Sequence, residues 1–238
     1  MITPTKPKNR WLTILLIIAA VAVWIYGQKY PAPATRKEHR TPQSSAPSGK
    51  VGPATTKTSK NAEKTGGYEI YRNCTLVEVR NNDGDSFMLL LPDGRQAEFR
   101  LYFVDTPESV FKSYRGGETN RQRITEQAAE MGGITAEQAV EIGQKAKHFT
   151  LDLLARQPFT IYTKWDSPFH DDRFHAHVEV ISEGKSRWLD ELLVELGYVR
   201  IHTKPAPMPD GTSAMGHKNR LLQLERAAKI AERGVWGL

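Results

Sequence analysis

Residues 74–104 read CTLVEVRNNDGDSFMLLLPDGRQAEFRLYFV. Cys74–Arg80 alternates apolar and polar side chains, as a half-buried strand does. Ser86–Leu91 forms a second run and Gln96–Val104 a third. Between the second and third, Pro92-Asp93-Gly94 has the composition of a tight hairpin turn. The stretch therefore predicts a three-strand meander, with Asp83-Gly84-Asp85 in its first loop.

Downstream, residues 109–136 read as irregular, with glycine pairs at 116–117 and 132–133. Ala139, Ile142, Ala146, Phe149, Leu153 and Leu154 then recur at helical spacing, which predicts a helix over Ala136–Ala155 capped by Thr135. Phe159–Trp165 and Phe174–Ile181 are the fourth and fifth strands. Arg187–Leu196 is a helix stopped by Gly197, and Lys218–Glu232 is the last helix. Five short strands with inserted helices point to an α+β, mainly β fold: a five-stranded Greek-key barrel of OB type with three helices. An open α+β sheet is the alternative, and periodicity does not separate the two.

Upstream the chain changes character. The whole sequence of 238 residues carries 33 Lys+Arg against 27 Asp+Glu, a formal net charge of +6. Residues 1–66 hold 11 of those bases and two acids, net +9, so 67–238, with 22 bases and 25 acids, are net −3. Bulk charge thus gives no support for nucleic-acid binding by the folded part. The single Cys74 excludes an internal disulfide framework and a cysteine-based zinc finger.

Residues 11–26, WLTILLIIAAVAVWIY, are sixteen uncharged residues preceded by Lys6, Lys8 and Arg10. As a helix they span about 24 Å, short for a membrane crossing but extended by flanking aromatics. The preferred reading of 1–27 is an uncleaved N-terminal anchor; a cleaved signal peptide with Ala32-Pro33-Ala34 as its site is the alternative. Residues 28–66 are rich in Pro, Ser, Thr, Ala and Lys, and read as a flexible linker. The folded domain is then 67–238, membrane-anchored outside the cytoplasm, or secreted if the signal is cleaved. Nothing in the sequence calls for an obligate protein partner, and a monomer is expected.

Acids and bases gather at the strand ends of the meander. Asp83 and Asp85 flank Gly84, Arg100 lies within the third strand, and Asp105-Thr106-Pro107-Glu108 follows where that strand exits. Singly, an Asp-Gly-Asp is usually a turn and a strand arginine a structural ion pair. Together, carboxylates from two loops of one meander make a hard-oxygen site suited to Ca²⁺, and guanidiniums beside it suit a phosphate.

The run DGDSFMLLLPDGRQAEFRLYFVDTPES closely resembles the signature of the staphylococcal-nuclease-like (thermonuclease) family. DRFHAHVEVISEGKSRWLDELLVELGYV resembles its second block and LLQLERAAKIAERGVWG its closing helix. The resemblance covers about residues 68–238, with an apparent insertion within 110–140. It implies an OB barrel and Ca²⁺-dependent hydrolysis of DNA and RNA, leaving 3′-phosphates. Asp85 and Asp105 would give carboxylates, and Thr106 its carbonyl, to Ca²⁺, with Asp83 nearby. Glu108 would position or deprotonate the attacking water. Arg100 and Arg173 would grip the scissile phosphate.

The sequence also departs from the family. His170, Asp171 and Asp172 precede Arg173 where the type member has a lysine and a tyrosine, and Thr203 lies near where base-stacking tyrosines are expected. The insertion offers Tyr114, Arg115, Arg121 and Arg123 as replacement contacts. His175 and His177 share a strand face and, with His170 or an acid, are a possible Zn²⁺ set; solvent-facing strand histidines are the preferred reading. Beside the nuclease stand two rival functions: an OB-fold nucleic-acid-binding module and a His-rich metal-binding surface protein. The complete set Asp85, Arg100, Asp105, Glu108 and Arg173 favours the enzyme.

Overall fold

The computed structural model describes residues 63–168 and 172–238, all within one unit, Thr56–Leu238. The expected anchor, most of the linker, His170 and Asp171 lie outside the described residues. Among the described residues, no helix is long and apolar enough to cross a membrane.

Strands β1 (Glu63–Thr65), β2 (Tyr68–Leu76), β3 (Ser86–Leu90) and β4 (Gln96–Leu101) follow in antiparallel order. After a short β5 (Val104–Asp105) come helices α1 (Arg121–Glu130) and α2 (Ala136–Arg156), then β6 (Phe159–Thr163) and β7 (Arg173–Ser182). β8 (Lys185–Trp188), α3 (Leu189–Glu195), β9 (Arg200–Ile201) and α4 (Ala214–Ile230) complete the order, before a final 3₁₀ turn at Gly234–Gly237. β4 pairs with β7 in parallel, β7 with β6, and β6 back with β2. That last pairing closes a mixed five-stranded barrel of β2, β3, β4, β7 and β6, which decides against the open sheet.

Local chemistry explains the elements. Gly94, at φ 84°, forms the β3–β4 turn, and its amide donates to the Leu91 carbonyl at 2.9 Å. Thr135 caps α2 reciprocally: its hydroxyl accepts from the Gln138 amide at 3.1 Å, and Gln138 Oε1 accepts from the Thr135 amide at 2.9 Å. Phe87, Leu89, Phe99, Leu101, Ile161, Ala176 and Val178 fill the barrel, each essentially inaccessible to water. One such side chain contributes about 1.5–3 kcal/mol of burial free energy.

Several expectations need correction. The first barrel strand is Tyr68–Leu76, upstream of the predicted Cys74–Arg80. Its pairing with β6 shifts register between Tyr71 and Cys74, where Asn73 takes φ 62°, so a bulge breaks the period that sequence reading relies on. Strand pairing already begins at Glu63, inside the stretch read as linker. The third predicted strand stops at Leu101, because Phe103 adopts φ 67° and turns the chain into β5. The described residues hold four α-helices rather than three. The extra one, α1, lies in the stretch read as irregular, where Ile124 and Ala128 pack on Ala139 and Val140 of α2.

Candidate active site

Two loops meet at one end of the barrel. The β2–β3 loop carries Asp83-Gly84-Asp85, and the segment after β5 carries Thr106-Pro107-Glu108. Helix α2 presses both together. A Cβ on Gly84 would lie 2.8 Å from Thr106 Cγ2 and 3.0 Å from the Ala146 Cβ, and Thr150 Oγ1 donates to the Gly84 carbonyl at 2.9 Å. On the other loop, a Cβ on Gly143 would stand 2.5 Å from the Pro107 carbonyl oxygen and 2.6 Å from that of Glu108. Glycine at 84 and 143 is what lets backbone approach helix this closely.

Arg100 enters from β4, paired in register with Ser86 of β3 and His175 of β7. Its Nη2 bridges Asp85 Oδ2, at 3.1 Å, and Asp105 Oδ1 in a shorter contact. Asp85 Oδ1 accepts from the Ser86 hydroxyl at 3.2 Å. Asp105 Oδ2 accepts from Arg200 Nε at 2.8 Å and Nη2 at 2.7 Å, and from Gln127 Nε2 at 3.0 Å. Gln127 is wholly buried; its Nε2 also donates to the Thr106 carbonyl at 3.1 Å, and its Oε1 accepts from the Glu108 amide at 3.1 Å. One side chain of α1 thus fixes three of the four residues of the Asp105–Glu108 segment.

The charges are unevenly compensated. Burial pushes the Asp85 carboxyl up to about 6; Arg100 opposes this, and repulsion from Asp105 and Asp83 adds to it. Burial likewise raises Asp83. Burial alone would raise Asp105 too, but Arg100, Arg200 and the Gln127 hydrogen bond hold it below the ordinary carboxylate value.

A polar cleft of about 180 Å³ opens between these loops. Asp83, Asp85, Arg100, Thr106, Glu108 and Arg173 all line it. Six of the seven residues singled out from sequence therefore face one space. The seventh, Asp105, lies behind, tied to Arg100. Of the insertion residues, Tyr114 and Arg123 line the cleft, together with Lys112, whereas Arg121 stacks on Phe111 and pairs with Glu137. Thr203 turns away, its hydroxyl donating to the Leu101 carbonyl at 3.1 Å.

A family model described as staphylococcal nuclease homologue matches residues 98–237. The chain belongs to this family. No curated protein matches it. The family match contains Arg100, Asp105, Thr106, Glu108 and Arg173; Asp83 and Asp85 precede it and join the site through the β3–β4 pairing. The staphylococcal nuclease homologues are nucleases, which places the chain among the phosphodiester hydrolases at that coarse level.

Two parts of the site were missed in the sequence. Gln127 had a legible signal, since Ile124, Ala128 and Met131 recur at helical spacing and are buried. The glycine pairs around them suggested loop instead. Arg200 had none, because its partner Asp105 is 95 residues away and meets it only through β5–β9 pairing.

The histidine expectation is corrected as well. His175 and His177 are 1% and 2% exposed, not solvent-facing. Their rings pack on Tyr102 with centroids 5.2 and 4.7 Å away, because helix α4 and the Pro207 segment cover that face of β7. Among the described residues no three His, Cys, Asp or Glu side chains form a metal-ligating group, so nothing there supports the Zn²⁺ set.

Proposed function

We propose that the domain is a Ca²⁺-dependent endonuclease acting on DNA and RNA and leaving 3′-phosphate ends. The observation that carries this reading is the convergence of Arg100, Arg173 and Glu108 on one cleft with Asp85 and Thr106. Members of this family are typically calcium-dependent.

The residues present fit such an ion. The donors are hard oxygens, and Asp85 and Asp83 are raised by burial, a local excess of negative character that a divalent cation relieves. The buried Thr106 hydroxyl has no hydrogen-bond partner among the described residues. Asp105 Oδ2 is taken by Arg200 and Gln127, but each carboxylate oxygen has two lone pairs, so Oδ1 keeps one beside Arg100. Asp85, Asp105 Oδ1 and the Thr106 carbonyl would hold the ion, with water completing its shell. Bound there, calcium supplies positive charge to the phosphate oxygens.

The chain's own groups do the rest. Arg100 and Arg173 hold the non-bridging oxygens and offset charge that develops in the transition state. Glu108 accepts a proton from the water that attacks phosphorus. The new bond joins the water oxygen to phosphorus; the bond to the 5′-oxygen breaks, and that oxygen leaves with a solvent proton. The N-terminal apolar segment holds this domain at a membrane, outside the cytoplasm, or directs its secretion if cleaved, and the domain works as a monomer.

Digestion of single-stranded DNA and of RNA oligonucleotides with Ca²⁺, followed by end-group analysis, tests the reaction. New 3′-phosphate and 5′-hydroxyl ends are expected from both. Intact oligonucleotides, or 5′-phosphate ends, would contradict it.

A further inference from the structure

The insertion surrounds Glu108. Arg123 Nη1, from α1, lies 3.3 Å from Glu108 Oε1. Lys112 Nζ and Asn120 Nδ2 lie 3.4 and 3.3 Å from Oε2. Both oxygens of the carboxylate assigned to water activation are thereby engaged, and Arg123 Nη2 reaches to 3.6 Å from Asp105 Oδ1. A water approaching Glu108 would have to compete with these donors for its lone pairs.

The two partners differ in freedom. The Glu108 side chain is 12% exposed, whereas that of Arg123 is 51% exposed. An ion pair with one half-exposed member is weak, so it is readily exchanged for a stronger partner. Arg123 stands in the cleft wall with Arg100 and Arg173. A phosphate diester entering this cleft offers oxygens that suit the guanidinium fork.

We propose that Arg123 is a third phosphate-binding residue, and that it exchanges Glu108 for a substrate phosphate as the substrate enters. Without substrate, Arg123 is paired with Glu108; with substrate, it contacts the phosphate and leaves the Glu108 carboxylate to water. Asn120, whose side chain also donates to the Val110 carbonyl at 2.9 Å and accepts from the Lys112 amide at 2.7 Å, keeps Glu108 in place during the exchange. This device belongs to the insertion, and it rests on the nuclease reading of the cleft.

The test is a double-mutant cycle on ligand affinity, with no turnover needed. The full chain in detergent is prepared as wild type, Arg123→Gln, Glu108→Gln and the double variant. Binding of a 5′-phosphorylated thymidine dinucleotide is measured in EDTA, and each variant's fold is checked by circular dichroism. Arg123→Gln is expected to weaken binding about five- to tenfold. Glu108→Gln is expected to tighten it several-fold, since Arg123 no longer has to leave a carboxylate. In the Arg123→Gln background that gain is expected to vanish. Equal gains in both backgrounds, an Arg123→Gln affinity within twofold of wild type, or no binding by the wild type would each overturn the proposal. Hydrolysis is scored separately. A chain that shows the cycle but never cleaves with Ca²⁺ supports the exchange and overturns the nuclease reading; cleavage without the cycle does the reverse.

Discussion

Glu108 carries the sharpest residue-scale consequence. If it takes the proton from water, Glu108→Gln removes the base while keeping size and hydrogen bonding. The expected result is a fall in kcat of about 10²- to 10⁴-fold, with KM no higher than that of the wild type. A near-normal kcat in steady-state assays would assign water activation elsewhere. His177 has a different one. Burial holds this imidazole down at about 4, among Tyr68, Tyr102, Phe103, Trp188 and His217, with Asp190 opposing and His217 and Lys164 reinforcing the shift. The unfolded chain binds this proton near pH 6.5 and the folded chain only near pH 4, so the contribution is intact above 6.5 and is lost as pH falls toward 4. Asp85, raised to about 6, shifts stability the opposite way in part of that window, so wild-type curves alone would conceal the effect. The difference between His177→Phe and wild type isolates it. From pH 7 to pH 5, urea unfolding is expected to move by about 2 kcal/mol in the variant's favour. No movement would mean that His177 is not held neutral by the fold. Sequence alone did not show this burial. The i, i+2 spacing placed both histidines on one face correctly, but an outward face of a strand can be roofed by a distant helix, and that is what α4 does.

Among the elements, α2 and α1 build the site from behind. Helix α2 was legible in full: its apolar spacing, its Thr135 cap and its end near Arg156 follow from local chemistry. Its use as a platform was not, because that depends on Gly143 meeting the Pro107 and Glu108 carbonyls. Gly143→Ala is therefore expected to force the helix and the Asp105–Glu108 segment apart. A loss of about 2 kcal/mol, or about 5 °C in Tm, should accompany a fall in kcat. A thermal scan and activity assay that leave both unchanged would remove α2 from the positioning of Glu108. Helix α1 was missed because the glycine pairs that bracket the insertion imitate a loop, although Ile124, Ala128 and Met131 carry a helical period. With it went Gln127, which holds the Asp105 and Thr106 oxygens in place. The strands fared unevenly for a physical reason. β3, β6 and β7 keep regular alternation and were found within a few residues, while β2 contains a bulge and β4 ends at a left-handed Phe103.

For the whole molecule, the net charge of +6 is the sum of a +9 N-terminal quarter and a −3 remainder. On the proposed reading, attraction of a phosphate to the acidic part comes from a few placed groups, Arg100, Arg173 and Arg123, and from a cation held by Asp85, Asp105 and Thr106. The barrel topology brings these together from β4, β5, β7, α1 and two loops, residues that span positions 85 to 173. Their convergence is the part of the fold that the sequence motif anticipated, and barrel closure through β2–β6 is the part that it did not decide. The most direct test measures hydrolysis of single-stranded DNA by the full-length wild type and by Arg173→Ala, each with Ca²⁺ and with EDTA, on samples of verified fold. Rapid cleavage by the wild type with Ca²⁺, abolished by EDTA and reduced at least about a hundredfold in Arg173→Ala, is the predicted result. Cleavage that persists in EDTA, cleavage unaffected by Arg173→Ala, or none by the wild type would contradict it.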